Sequence, residues 1–236
     1  MAFDNYRAML TNKYIHSGYL NTIIVTVVTT VLSLILTSMG AYCMASRNFP
    51  NRKFWMGILL FTMYFSGGLI PTYLTYIGYG LKDSLWALIL PSLCSAYNLI
   101  IMRNFFMQLP ESIIESGRVD GAGEFQILFN LVLPISKPVL ATIGMWVAVG
   151  RWNSWFDCLV YIRDPNKSVL QVILRRIILQ GSNDLMAASN ASVDIRANPE
   201  GLKAAAIFVT TIPILLVYPF LQKYFVKGIV LGSVKG

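Results

Sequence analysis

The sequence predicts an all-α fold, a polytopic bundle of membrane-spanning helices, and three observations carry that prediction. First, 56% of the 236 residues are hydrophobic and only 13% are charged, with a mean hydropathy of +0.59; soluble domains average about 25% charged. Second, uncharged apolar runs recur, and about 20 apolar residues suffice for a helix to cross a bilayer. Third, the basic residues behind the net charge of +8 are scattered between those runs. Positive-inside anchoring and contact with lipid head groups produce that pattern, and nucleic acid is not the partner it implies.

Taken in order, the first span is residues 19–45, rich in Thr and β-branched residues and free of charge. It is too long to be the apolar core of a cleavable signal peptide, so residues 1–18 form an external N-terminal segment and 19–236 the transmembrane domain. A proline-punctuated loop over 46–53 carries Arg47, Arg52 and Lys53. The second span, 54–70, ends at Gly67-Gly68 and Pro71, followed by an aromatic, glycine-containing loop over 73–82. The third covers 84–106 with Pro91 and Asn98 inside it, and the fourth 138–159. After an external loop over 162–201, the fifth covers 202–226 and contains Pro213 and Pro219. Within that external loop, residues 169–179 are too short to cross and hold the pair Arg175-Arg176, which fits an amphipathic or re-entrant segment.

Five spans place the loop with Arg47, Arg52 and Lys53, the polar insert after the third span and the C-terminus on one side. The positive-inside rule assigns that side to the cytoplasm. Nine of the 19 basic residues fall there (Arg47, Arg52, Lys53, Arg103, Arg118, Lys137, Lys223, Lys227 and Lys235).

Catalytic chemistry has little to stand on. There is one histidine, His16, which reads as interfacial, and no Gly-Lys pair exists from which a phosphate-binding loop could be built. Cys43, Cys94 and Cys158 lie in apolar runs without a CxxC spacing; they read as small hydrophobes rather than disulfide or zinc ligands. No catalytic residue, metal site or cofactor is expected, and any energy supply belongs to another subunit.

The polar insert, 109–134, holds four of the five acidic residues between Ser84 and Asp157. A polar segment between two spans lies outside the hydrocarbon. Pro110 suits the first turn of a helix, and Glu111 and Glu115 fall four apart on one face near its positive end. Ser116-Gly117 is a small patch that permits close approach by another surface. Asp120-Gly121 signals a turn. A second helix comes next with Phe125, Leu128 and Phe129 on one side, closed by Leu133-Pro134. Helix, turn and helix make either a docking element or an ordinary solvated loop.

Glu115-Ser116-Gly117, three residues, Gly121, nine residues and then Leu131-Val132-Leu133-Pro134 resembles the EAA loop of binding-protein-dependent ABC importer permeases. That loop reads Glu-Ala-Ala, three residues, Gly, nine residues, Ile-x-Leu-Pro; Ser and Gly replace both alanines here, and Leu131 stands for Ile. The likeness extends to 65–71, 98–103, 152–157 and 218–228, where the chain is similar to the complex-polysaccharide and oligosaccharide branch. It implies the type I ABC importer permease fold and a bacterial cytoplasmic membrane location. The implied partners are a second permease subunit, two ATP-binding subunits, an extracytoplasmic solute-binding protein and membrane lipid. It also implies that Glu111, Glu115, Ser116, Gly117, Asp120, Gly121 and Pro134 couple the permease to an ATPase subunit. Six spans are usual in that family, so a helix preceding residue 1 is expected to be missing.

For the pathway, Trp146, Trp152, Asn153, Trp155, Phe156 and Asp157 gather toward the outer end of the fourth span. Aromatic faces beside amide and carboxylate groups suit sugar rings; they equally suit an interfacial aromatic belt. Asn98, costly in hydrocarbon, faces the pathway or bonds another helix. Arg151 either pairs with Asp157 or snorkels outward. The leading function is import of sugars or oligosaccharides. The alternatives are a permease of the same family for another solute, or a scaffold or channel with no ATPase.

Overall fold

A computed structural model of the chain describes residues 13–180 and, within 201–215, all but 202, 203, 206 and 214. The described residues are helical and contain no strand. The longest element, α1 (Lys13–Ala45), has 33 residues, and by length and hydropathy it is long and apolar enough to cross a membrane unaided. It is built inside out: Thr29 and Ser33 are 0% exposed, whereas Val27 is 53% and Val31 50% exposed. Small polar residues inside and branched aliphatics outside is the arrangement lipid demands, because close helix packing rather than water exclusion holds membrane helices together.

The later spans are broken at points where hydropathy alone runs straight through. The second consists of α2 (Arg52–Tyr64) and α3 (Leu69–Gly78). Gly68, at φ 85°, makes the break, and Pro71 falls in the first turn of α3. There its missing N–H has no intrahelical partner to lose, so residues expected as a loop continue as helix to Gly78. The third consists of α4 (Trp86–Ser92), which tightens to a 3-10 turn at Leu90–Ser92, and α5 (Ala96–Phe106). Ser95 caps α5, its Oγ accepting the Asn98 N–H at 3.4 Å. The fourth, expected to run through 138–159, stops at Trp152 in α8 (Lys137–Trp152) and restarts as α9 (Phe156–Tyr161). By length and composition three bent pairs pass as single spans, Arg52–Tyr64 with Leu69–Gly78, Trp86–Ser92 with Ala96–Phe106 and Glu124–Ile135 with Lys137–Trp152, which makes up to 4 spans with α1 among the described residues. Much of the fifth expected span lies outside the described residues.

Between α5 and α8 stand α6 (Glu111–Val119) and α7 (Glu124–Ile135). A widened π turn over Leu128–Val132 lies inside α7. The segment expected to be amphipathic, in the loop expected to be external, is α10 (Leu170–Gln180).

The chain forms two compact units. One takes in the described residues of Met1–Val28, Tyr73–Leu90 and Ala148–Phe220. Its core is Ile15, Leu170, Ile173, Ile177 and Ala205, so α10 packs on its own chain through its apolar face. Thr22 of α1 accepts the Leu170 N–H at 2.9 Å, and Asn21 donates to the Asn166 and Ser168 carbonyls at 2.8 and 3.1 Å. The other unit takes in Thr29–Thr72 and Pro91–Val147. Its core holds Ala41, Met102, Phe106, Ile127, Leu128, Val132, Val139 and Ile143.

Candidate functional site

The polar insert folds as a helix closed by a turn. Pro110 precedes α6 as its cap residue, and Glu111 opens the first turn. At the other end, the Ala122 N–H donates to the Gly117 carbonyl at 2.9 Å and the Gly121 N–H to the Arg118 carbonyl at 3.0 Å. Those two bonds, with Gly121 at φ 79°, constitute a Schellman motif: the left-handed residue after the helix lets the chain reverse while orphan carbonyls find donors. The next helix starts at once, the Gly123 N–H donating to Gln126 Oε1 at 3.0 Å.

Gly117 is the one buried residue of α6. A Cβ there would lie 2.8 Å from Leu131 Cδ1 and 3.1 Å from Ile127 Cγ1. The surface that approaches this small residue is therefore α7 of the same chain. Ser116, its neighbour, is exposed and donates to the Ile113 carbonyl at 3.0 Å. The buried face of α7 is Ile127, Leu128 and Val132, while Phe125 and Phe129, expected beside Leu128, are exposed. The buried residues straddle the start and end of the π turn, whose extra residue rotates the helix face. Pro134 is exposed and does not close α7, which runs to Ile135 and bends by 86° into α8. A helix-interior proline removes a backbone bond and kinks the helix at that point.

Glu111 reaches Arg47, in the loop after α1, at 2.8 Å. Glu115 and Asp120 are exposed and hold no ion pair among the described residues. Three residues absent from the sequence-derived set join them. Arg118 donates to Glu124 Oε1 through Nη2 at 2.9 Å and Nε at 3.0 Å, and the Tyr42 hydroxyl of α1 donates to Glu124 Oε2 at 2.5 Å. The Tyr42 hydroxyl and the Arg118 guanidinium hold the Glu124 carboxyl below the usual carboxylate range. Opposite charges six residues apart across a turn signal are visible in the sequence; nothing local points to Tyr42.

The expected pathway residues scatter into different roles. Asn98, 8% exposed, lies in the first turn of α5. In the other unit, Trp152 packs against the core beside Tyr19, ring centroids 6.4 Å apart, and its Nε1 is buried without a partner among the described residues. Asn153 is exposed, donating to the Val149 carbonyl at 2.9 Å and accepting from Gln171 at 3.4 Å. The Arg175 guanidinium lies 3.9 Å over the Trp155 ring. Asp157 pairs with Arg151 at 3.2 Å, and Arg151 also donates to the Leu88 carbonyl at 3.3 Å. Of the two readings of Arg151, pairing holds.

Asp83 forms a latch to which no sequence signal points. Its carboxylate accepts the Arg163 and Asp164 N–H groups, both at 3.0 Å. Its own carbonyl accepts Lys167 Nζ at 2.8 Å. Those backbone donors, with Lys167 and Arg163, hold its carboxyl below the usual range. A lowered folded value means the latch is fully formed above the ordinary carboxylate pKa and is lost as pH falls through the lowered one. Asp83→Ala is expected to lower the protection factors of the Arg163 and Asp164 amides at neutral pH, each rate being taken relative to the intrinsic rate at that pH, as acidification does in the wild type; unchanged protection would refute the latch.

Comparison with known proteins finds a family and relatives. A family model described as binding-protein-dependent transport system inner membrane component matches residues 37–231. The chain is 43% identical over 235 residues to the polygalacturonan/rhamnogalacturonan transport system permease protein YtcP of Bacillus subtilis (strain 168), covering 100% of this chain and 82% of that one. Protein LplC of the same strain is 46% identical over 215 residues, 91% of this chain and 72% of that protein. The crystal structure of a bacterial ABC transporter involved in the import of the acidic polysaccharide alginate superposes with a TM-score of 0.86 at 36% identity. That match covers 94% of this chain and 79% of the other.

Proposed function

The chain belongs to the binding-protein-dependent transport system inner membrane components, and from that premise we propose that it is the transmembrane permease subunit of an ATP-driven importer of oligosaccharides. It is a membrane-embedded transport subunit. Its partners are a second permease subunit, two ATP-binding subunits that hydrolyse the nucleotide, an extracytoplasmic solute-binding protein and lipid. The polysaccharide cargoes named for its relatives support the carbohydrate assignment.

One observation carries the coupling role: α6 is a short exposed helix, seated on α7 through Gly117 and closed by a tight turn. A helix that presents charge outward and is anchored inward can be pushed as a unit. In the importer it faces the cytoplasm, fits a groove on an ATP-binding subunit, and converts closure of the ATPase pair into rocking of the spans. Glu115, Ser116 and Asp120 are the groups free to meet that subunit. Glu111 is held by Arg47, and Gly117, Gly121 and Pro134 shape the helix and its exit.

Glu115→Lys is expected to insert into the membrane normally and to lower solute-stimulated ATP hydrolysis by about tenfold or more, the effect of reversing one charge in an interfacial pair. ATPase assays on reconstituted importer and co-purification of the ATP-binding subunits read it out. A scaffold or channel without an ATPase would leave the substitution silent.

A further inference from the structure

We propose that Tyr42, Arg118 and Glu124 form a clamp that makes α1 the lever arm of the coupling helix, an inference that rests on the importer reading above. The clamp gathers three elements on one carboxylate: Tyr42 of α1 on Glu124 Oε2, and Arg118 of α6 on Glu124 Oε1, with Glu124 itself the first residue of α7. Tyr42 and Glu124 are 82 residues apart in the chain.

Local needs do not account for these contacts. The C-terminal end of α6 is already closed by the bonds from Ala122 and Gly121, and the start of α7 by Gln126. Nor does stability, since the Arg118 and Glu124 side chains are 45% and 56% exposed and exposed ion pairs contribute little. What the trio does is join helices that no other side-chain hydrogen bond or ion pair among the described residues joins at this end. The Arg47–Glu111 pair ties the opposite end of α6 to the loop that leaves α1. The coupling helix is thus strapped at both ends to one helix and its exit. That helix has 33 residues, about 50 Å at 1.5 Å per residue, and is the one described element able to cross a membrane unaided. A push on α6 reaches α1 through Tyr42 without depending on the long chain connection between them.

The clamp requires an ionised Glu124, whose carboxylate faces Tyr42 of α1 and Arg118 of α6. Cys43 lies near enough to influence Tyr42, and Glu111 to influence Arg118; α7 carries no other titratable group. Of the influences that hold the Glu124 carboxyl low, the Tyr42 hydrogen bond is the largest. Coupling in the wild type therefore persists as pH falls below the ordinary carboxylate range. Removing the hydroxyl moves the acid limit upward.

The experiment uses the complete importer, with both permease subunits, the ATP-binding subunits and the binding protein, in lipid vesicles. Tyr42→Phe deletes one oxygen; Glu124→Gln keeps an acceptor for Tyr42 but no charge for Arg118. Both variants are expected to retain their ATP-binding subunits while the ATP hydrolysed per solute imported rises about three- to tenfold, the scale of one typical lost intramolecular hydrogen bond. Tyr42→Phe is also expected to shift the acid limit of import to higher pH, whereas Glu124→Gln has no such limit from this site. Wild-type stoichiometry and acid limit in Tyr42→Phe would overturn the clamp. So would loss of the ATP-binding subunits from it, since the role would then be assembly rather than transmission. Failure of the importer reading is distinguishable, because the wild-type complex itself would then show no ATP hydrolysis stimulated by the binding protein.

Discussion

Gly121→Val is expected to abolish import coupled to ATP hydrolysis while the protein still inserts into the membrane. At φ 79° the residue sits in the left-handed region, where an L side chain costs roughly 1–2 kcal/mol and a β-branched one more. Among the described residues no atom beyond its two chain neighbours lies within 4 Å of the site a Cβ would take, so the strain is in the backbone. The backbone escapes by leaving the left-handed region, which breaks the bonds from Ala122 to Gly117 and from Gly121 to Arg118 and lets the exit of α6 swing. Asn visits that region far more readily, so Gly121→Asn should retain most of the coupling. Import of radiolabelled oligosaccharide into vesicles, with ATP hydrolysis measured in parallel, separates the two variants. Equal activity in both would mean that the turn geometry is not what transmits the motion.

Gly117→Leu should be nearly as damaging for the opposite reason, since there the backbone is relaxed and space decides. The Cβ alone would stand 2.8 Å from Leu131 Cδ1 and 3.1 Å from Ile127 Cγ1. Leu131 can swing the end of its side chain aside, but Ile127 is 0% exposed and has little room. Gly117→Ala asks only for that swing and a few tenths of an ångström at Ile127, so it should be much the milder change, in keeping with the alanine that the resembling EAA pattern carries at this position. A leucine needs space that exists only if α6 lifts off α7, and overpacking of this kind costs about 1–3 kcal/mol. The expected readout is weaker retention of the ATP-binding subunits during purification of Gly117→Leu and near-normal retention of Gly117→Ala. Full retention and import by Gly117→Leu would show that α6 does not need its seat.

The helix and turn of the proposed coupling segment are legible from sequence because their signals are local. Pro110 ahead of two carboxylates, Gly121 after Asp120 and the spacing to Pro134 all specify backbone geometry within a few residues. The spans are legible in number of apolar runs but not in continuity. Hydropathy is blind to a break at Gly68, or after Trp152, as long as both halves remain apolar. The pathway residues are the least legible. Aromatic and polar side chains cluster near Trp152 in the chain, yet Trp152 turns into the core, Asp157 takes Arg151, and Trp155 takes Arg175. Which way each points depends on where α9 and α10 come to rest.

The solvent and the job are written in the chain itself. Composition places it in a membrane, and one acidic helix–turn–helix between apolar runs marks the proposed docking element. Both come from short-range chemistry, the transfer of apolar groups into lipid and the backbone preferences of proline and glycine. What each coupling residue faces is settled instead by tertiary packing. Gly117 meets its own α7, Glu111 is taken by Arg47, and Glu115 and Asp120 are left exposed. The same packing brings Tyr42 to Glu124. Those outcomes depend on where α1 ends relative to the turn, and no spacing within the insert encodes a contact with a residue 82 positions away.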